Sequence, residues 1–423
     1  MTPSLLARLL RPSLALLAAL PLAACGSESA SDPAEDAGSI DAPTEAAADS
    51  ATAPDGASPA CSSSPPEAPD GLVCQQWSCA AAPAPECWDC ATVADEDGTP
   101  CTLSDPDGGS GECSSGACVG AKEPADPGGP AGTSKSVEIQ LQGGSGTVKL
   151  PLTIYLPETS AKSPVVVLNH GFQLNAELYA SYGQHLASWG YVAIVPQMPG
   201  GLIGGPSHLD LSDYLLGVLD WIDADSVSST GALEGKSDPK RLGLAGHSMG
   251  GKISLLTATR DARSKAVFAI DPVDAAGGPI PGSEQEYPSV TPELMGSIKI
   301  PTVFLGETTN ATCTGFMCQA CAPQDDNFHQ YFVHATNPAL QIEVLGANHM
   351  SFLDNPNCGL TCSVCPKGTD DPAKTRWLTR RYMTSFFNAV LRDQAGYREY
   401  LVGAKMAADV AGGLVKSEAK GSF

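Results

Sequence analysis

Arg241-Leu242-Gly243-Leu244-Ala245-Gly246-His247-Ser248-Met249-Gly250-Gly251-Lys252 is a short apolar run that breaks into a glycine-bounded serine and continues in residues suited to a helix. A bare G-x-S-x-G recurs by chance, but strand, sharp turn and helix in immediate succession form a nucleophile elbow. In that turn the serine is pushed out at the carboxyl end of a strand, and small residues flank it because strand and helix must approach closely. Ser248 is therefore the candidate nucleophile. The helix that begins beside it leaves unpaired amides, and the Met249 N–H is expected to face a developing oxyanion.

Outward from this turn, strands and helices alternate. Residues 137–141 and 148–155 read as antiparallel strands, the second partly interrupted by Pro151. Val165 to Leu168 is a fully apolar central strand, followed by a helix over about 176–189, a strand over 191–195 and a helix over about 211–227. After the elbow, strands are expected at 266–270, 302–305 and 341–345, with helices at about 252–259 and 373–391. This alternation implies an α/β fold: a mostly parallel central sheet with helices on both faces. Reactive groups then collect at the carboxyl ends of its strands.

Chain order on such a fold runs serine, acid, histidine. Of seven histidines, His170 and His247 belong to turns, His185 lies within a helix and His208 precedes the serine. Downstream stand His329, His334 and His349. His349, in the loop after the strand ending at Leu345, is the candidate base, because the other two sit in a helix. Asp271 ends the strand after the elbow helix and is the candidate acid, with Asp274 as its rival. The second oxyanion amide is assigned to Phe172 in Asn169-His170-Gly171-Phe172. Leu174, Met198 and Phe352 are candidates for a hydrophobic substrate site, with burial in the core as the competing reading. The glycine-rich stretch 199–206 is a candidate rim.

Several of these phrases together resemble plant chlorophyllases: Asn169-His170-Gly171-Phe172; Gln184 to Tyr191 leading to Val195-Pro196-Gln197; Gly246 to Lys252; Ile270-Asp271-Pro272-Val273-Asp274; Cys321-Ala322-Pro323; and Asn348-His349-Met350. The resemblance runs from about 150 to 390, and more loosely extends to bacterial polyester (PET) hydrolases and platelet-activating-factor acetylhydrolases. It implies an α/β-hydrolase fold and a serine esterase that cleaves a carboxylic ester, with Ser248, Asp271 and His349 at the triad positions. It also implies catalysis that needs no metal or organic cofactor. Met249 departs from the arginine common at that position in the family. The rival readings are an amidase or peptidase on the same fold, or an adhesion lipoprotein that does no chemistry.

The front of the chain has a different character. Arg8 and Arg11 precede an apolar stretch ending in Leu22-Ala23-Ala24-Cys25, which reads as a signal peptide over 1–24 with Cys25 as the lipidated residue. The expected address is the bacterial cell envelope, with the membrane as partner through the N-terminal lipid anchor. Residues 25–60 are too poor in large apolar side chains to build a core and read as an acidic tether. Residues 61–120 read as a Cys-rich module, 121–134 as a linker, and 135–423 as the catalytic domain. The chain carries 47 acidic and 24 basic residues, a net charge of −23. Between 26 and 134 stand 20 acids and one base, Lys122, so nucleic acid is excluded as a partner.

The 15 cysteines divide into Cys25, eight in the module and six beyond Cys313. Even numbers in an exported chain argue for disulfides, and the C-x-x-C spacings leave zinc as the rival. The module has too few apolar residues to stand without cross-links. It is expected to act as a spacer, with a surface or polymer ligand as the alternative. At least one bridge is expected to join the 313–321 group to the 358–365 group and to hold the His349 loop.

Overall fold

The structure, a computed structural model, describes residues 75–81, 88–94, 100–102, 110–114, 117–143, 146–200, 205–278, 282–313, 318–336 and 338–422. The signal peptide, Cys25, the tether, Cys61, Cys74, Cys87 and residues 201–204 of the glycine-rich stretch lie outside the described residues.

Two small antiparallel sheets make up the described part of the Cys-rich module: β1 (Gln75–Ala81) with β2 (Trp88–Ala94), and β3 (Pro100–Thr102), β4 (Ser110–Ser114) and β5 (Ala117–Gly120). Cys79 bonds Cys90 directly across the β1/β2 register, and Cys101 bonds Cys118. Cys113, buried, is disulfide-bonded as well.

The stretch 121–134, expected as a linker, is instead packed against the large domain. His185 Nε2 donates to the Pro124 carbonyl (2.8 Å), Trp189 Nε1 to that of Asp126 (2.8 Å), and Arg381 pairs with Glu123 (3.3 Å). Ala125 is buried. Proline and glycine suit a chain that must turn repeatedly, and that property serves a docked segment as well as a free one.

The large sheet has nine strands: β6 (Thr133–Gly143), β7 (Gly146–Leu156), β8 (Ser163–Asn169), β9 (Val192–Pro196), β10 (Ser237–His247), β11 (Ser264–Ile270), β12 (Thr302–Glu307), β13 (Ala339–Val344) and β14 (Val415–Lys420). Their spatial order is β14-β13-β12-β11-β10-β8-β9-β7-β6. The strands from β13 to β9 run parallel, and antiparallel partners close the sheet at both ends. The fold is thus the α/β-hydrolase arrangement read from the sequence. Pro151 does not interrupt β7: it stands opposite Glu138 with its ring exposed, and its carbonyl accepts from Gln197 N at 2.8 Å.

Every residue of β8 is buried, and alternation divides its side chains between two cores. Val166 and Leu168 face α1 (Ala180–Ser188) and α6 (Pro372–Leu391), whereas Val165 and Val167 face α2 (His208–Asp225), α3 (Met249–Ala258) and α4 (Phe328–His334). Two shorter helices, α5 (Leu360–Ser363) and α7 (Ala404–Ala411), complete the helical set among the described residues. Period-two burial on both faces is what a helix-covered parallel sheet requires. The loop after β13 is fastened to α1 from below: Tyr182 Oη donates to the Phe352 carbonyl (2.6 Å) and Ser181 N to Asp354 (2.8 Å).

Candidate functional site

Three of the five non-glycine residues with positive φ among the described residues line one cleft, Gln173 (56°), Ser248 (57°) and Ala275 (38°), and a fourth, the buried Asp271 (41°), bonds His349. Such backbone is costly for L-residues and persists only where its surroundings enforce it. At Ser248 the enforcement is visible. A Cβ on Gly250 would collide with the backbone carbonyls of Asn169 and His170, and one on Gly171 would come within 2.9 Å of the Leu174 side chain and 3.2 Å of Ser248 Cβ. Glycine at both positions lets the elbow and the loop after β8 nest together.

Ser248 sits between β10 and α3, and its own N–H donates to the Ile270 carbonyl at 2.9 Å. Its Oγ lies 2.8 Å from His349 Nε2, and His349 Nδ1 lies 2.6 Å from Asp271 Oδ2. A carboxylate accepts only, so Nδ1 carries the proton and Nε2 is left to accept from the serine hydroxyl. His349 is 3% exposed and Asp271 fully buried. Burial pushes the imidazole down to about 3 and raises the Asp271 carboxyl, which keeps the resting imidazole unprotonated.

Asp274, the rival acid, is engaged elsewhere. It pairs with Lys252 of α3 at 3.1 Å, both fully buried, and accepts from Ser289 Oγ (2.6 Å), Val290 N (3.0 Å) and Thr291 N (3.0 Å). Burial works to raise its carboxyl, but Lys252 and these donors hold it below the ordinary value. This arrangement clamps the loop after β11 onto the helix behind the serine. His329 bonds Gln341 on the surface (2.8 Å) and His334 is the last residue of α4, and neither lines the cleft.

The loop bearing His349 is held by groups that motif reading passed over. Asn310 Oδ1 accepts from His349 N (2.9 Å), and its Nδ2 donates to the Pro366 carbonyl (2.9 Å). Asn310 N in turn donates to Glu307 (2.9 Å) at the end of β12. Burial, then the charge of Asp271, raises the Glu307 carboxyl to about 9. The disulfide Cys321–Cys365 joins the two cysteine groups beside Pro366, while Cys313–Cys318 and Cys358–Cys362 close loops within each group.

A second chain of hydrogen bonds links the two sides of the cleft. His247 Nε2 donates to the His349 carbonyl (2.9 Å), so its Nδ1 must accept, and the donor is Tyr179 Oη at 2.7 Å. The Tyr179 oxygen accepts from Gly171 N (3.1 Å). Burial and the neighbouring His349 keep His247 well below its usual value and hence neutral. The turn histidine thus ties the loop carrying Phe172 to the loop carrying His349. Sequence offered no signal for this, because Tyr179 lies 68 residues from its partner.

The cleft has a volume of about 900 Å³. Ser248 and Met249 lie at its base, Leu174 and Met198 form apolar wall, and Phe172 stands at its edge, 51% exposed. Phe352 corrects the substrate-site expectation: it is fully buried, with its ring 5.8 Å from that of His247, and does not line the cleft. An apolar residue after the His349 loop was equally suited to packing beneath the site. His208, excluded by chain order from acting as the base, does line the cleft.

A family profile described as chlorophyllase matches residues 129–411, about two thirds of the chain. Chlorophyllase-2 of Arabidopsis thaliana is 27% identical over 255 residues, covering 57% of this chain and 77% of that protein. Chlorophyllase type 0 of Chenopodium album is 25% identical over 268 residues, covering 59% and 73%. Chlorophyllase-1 of A. thaliana is 25% identical over 217 residues, covering 48% and 64%.

Proposed function

Because this chain belongs to the chlorophyllase family, we propose that it is a serine esterase that hydrolyses a lipophilic or polyester-like carboxylic ester through Ser248, His349 and Asp271. The observation that carries this reading is the continuous hydrogen-bonded set from Ser248 Oγ through both imidazole nitrogens of His349 to Asp271, opening on an apolar-walled cleft. His349 Nε2 takes the hydroxyl proton as Ser248 Oγ bonds to the substrate carbonyl carbon. The carbonyl π electrons move to oxygen, and the N–H groups of Met249 and Phe172 receive that charge. Collapse expels the alcohol, protonated by His349, and leaves an acyl-serine. Water, deprotonated by the same nitrogen, then releases the acid and restores the serine. Asp271 accepts Nδ1–H throughout and favours the imidazolium as it forms.

The relatives' names point to chlorophyll as their substrate; the Leu174 and Met198 side of this chain's cleft suits an ester with an apolar body. Anchoring through Cys25 at the bacterial envelope belongs to the same proposal: a membrane-tethered enzyme would meet esters that partition from water. The test is hydrolysis of 4-nitrophenyl esters from acetate to dodecanoate by the full disulfide-bonded chain, beside Ser248→Ala. Turnover in the wild type that falls by about 10⁴-fold or more in the variant is expected. Equal rates for both proteins on every ester would refute the reading. For the anchor, Cys25→Ser is expected to abolish incorporation of labelled palmitate and to release the protein from the membrane fraction.

A further inference from the structure

A second carboxyl is buried beside the acid of the triad and takes no part in the steps above. Glu307 ends β12 and Asp271 directly follows β11; the two strands are parallel neighbours, and Asp271 N donates to the Leu305 carbonyl of β12. Both carboxyls are buried. Asp271 has His349 as its ion-pair partner, and its Oδ1 accepts from no group in the protein. Glu307 accepts from two backbone amides, Thr309 N and Asn310 N (2.9 Å), and no basic side chain acts on it. Two buried carboxylates that lack a cation do not both stay charged, and such a pair keeps one proton between them.

The surroundings assign that proton to Glu307. Asp271 receives His349 Nδ1–H at 2.6 Å, the donor that becomes part of an imidazolium during turnover, so charge is most useful there. The amides of Thr309 and Asn310 favour a charged Glu307, but burial and the charge of Asp271 outweigh them and put its ionisation at about 9. Glu343 of β13 acts in the same direction and is itself paired with Lys416 of β14 (3.0 Å). His349 is neutral at rest, and from α4 the uncharged ring of Phe328 lies against Gly306. Glu307 also reaches the base through the backbone: Asn310, whose N–H it accepts, takes the His349 N–H on Oδ1 (2.9 Å).

We propose that Glu307 is a positioning residue of the reaction, holding one proton so that the single negative charge of the buried pair stays on Asp271, where it faces His349. This rests on the esterase reading and adds to it a residue that governs the protonation state of the triad. Loss of the proton puts a second charge, without a counter-ion, beneath the loop that carries His349. The bonds through Asn310 then no longer hold the imidazole against Ser248, and turnover stops while the rest of the sheet stays folded.

The test is the pH profile of kcat for the full disulfide-bonded chain on 4-nitrophenyl butyrate, corrected for uncatalysed hydrolysis. In the wild type kcat is expected to fall about tenfold per pH unit above about 9. Glu307→Gln has no proton to lose. Its amide nitrogen cannot accept from Thr309 N, so kcat should be lower throughout, yet flat where the wild type declines. Glu307→Asp keeps a carboxyl and should restore the declining limb. A merely structural role would scale all three profiles without changing their shape, and that result would overturn the proposal. Two spectroscopic readouts need no turnover. The infrared difference between wild type and Glu307→Gln near neutral pH is expected to contain the C=O band of a protonated carboxyl. The downfield His349 Nδ1–H proton resonance should change in step with the loss of that band, and Glu307→Gln should show no such change. Ester hydrolysis without the band refutes the shared proton and leaves the esterase standing. The band and the linked His349 change without hydrolysis at any pH refute the esterase and leave the proton-holding pair standing.

Discussion

Replacing Tyr179 with phenylalanine removes one oxygen from a fully buried position and changes almost nothing in volume. That oxygen accepts from Gly171 N at 3.1 Å and donates to His247 Nδ1 at 2.7 Å. Both partners are buried, so each loses its bond without gaining water, at about 1–3 kcal/mol apiece. No cavity adds to this, and the expected destabilisation is about 2–6 kcal/mol. Activity should fall beyond what stability explains. Gly171 precedes the proposed oxyanion donor Phe172, and His247 holds the carbonyl of His349 at 2.9 Å, so both loops lose their common tie. Complete loss of one oxyanion donor costs about 3 kcal/mol in the barrier; partial misplacement is expected to lower kcat about tenfold with little change in KM. Urea denaturation of the oxidised full-length proteins, followed by tryptophan fluorescence, and initial rates on one aryl ester provide the two readouts. A loss of under about 0.5 kcal/mol with unchanged kcat would refute the reasoning, since it would mean that the bonds through Tyr179 contribute nothing net.

Glu307→Gln should alter how stability depends on pH. Its carboxyl, raised from 4.5 to about 9 in the folded chain, keeps a proton there that the unfolded chain releases, so its contribution falls as pH rises through that window; the variant should gain on the wild type between pH 5 and 8, and an identical change in urea midpoint at both pH values would count against this. Removing Cys321–Cys365 by paired serine substitutions opens a loop closed over 44 residues and should cost about 4 kcal/mol, with the His349 loop exchanging amide hydrogens faster; unchanged exchange there would separate the bridge from the site. Gly250→Ala drives a methyl into the carbonyls of Asn169 and His170 and should abolish ester turnover while Gly200→Ala, which meets nothing within 4 Å, leaves the fold intact by circular dichroism; an active Gly250→Ala enzyme would argue against the tight elbow.

Local pattern carried the reading where the physics is local. The strand-turn-helix around Ser248, the apolar run of β8 and the acid at the end of β11 each depend on neighbours within a few residues, and each is legible as written. β14 was not: Val415 is its single buried residue, and five polar or small positions give no strand signal, so only pairing with β13 makes it one. The linker expectation for 121–134 missed a docked segment for the same reason, because its partners His185, Trp189 and Arg381 lie far along the chain. The choice between Asp271 and Asp274 was open in the sequence to the extent that both follow the same strand; three-dimensional packing separates them by giving one to His349 and the other to Lys252.

What sequence alone determined about this protein is therefore the order of its elements, the turn that presents Ser248, and the identity of its family, since these rest on short-range sterics and on residues adjacent in the chain. Tertiary structure alone decided which distant groups support those residues: Tyr179 behind His247, Glu307 and Asn310 beneath His349, Phe352 in the core rather than the cleft, and His208 in the cleft rather than merely at a helix start. Hydrogen-bond satisfaction and burial are properties of atoms brought together by the sheet, and the chain writes no local mark of which pairs will meet.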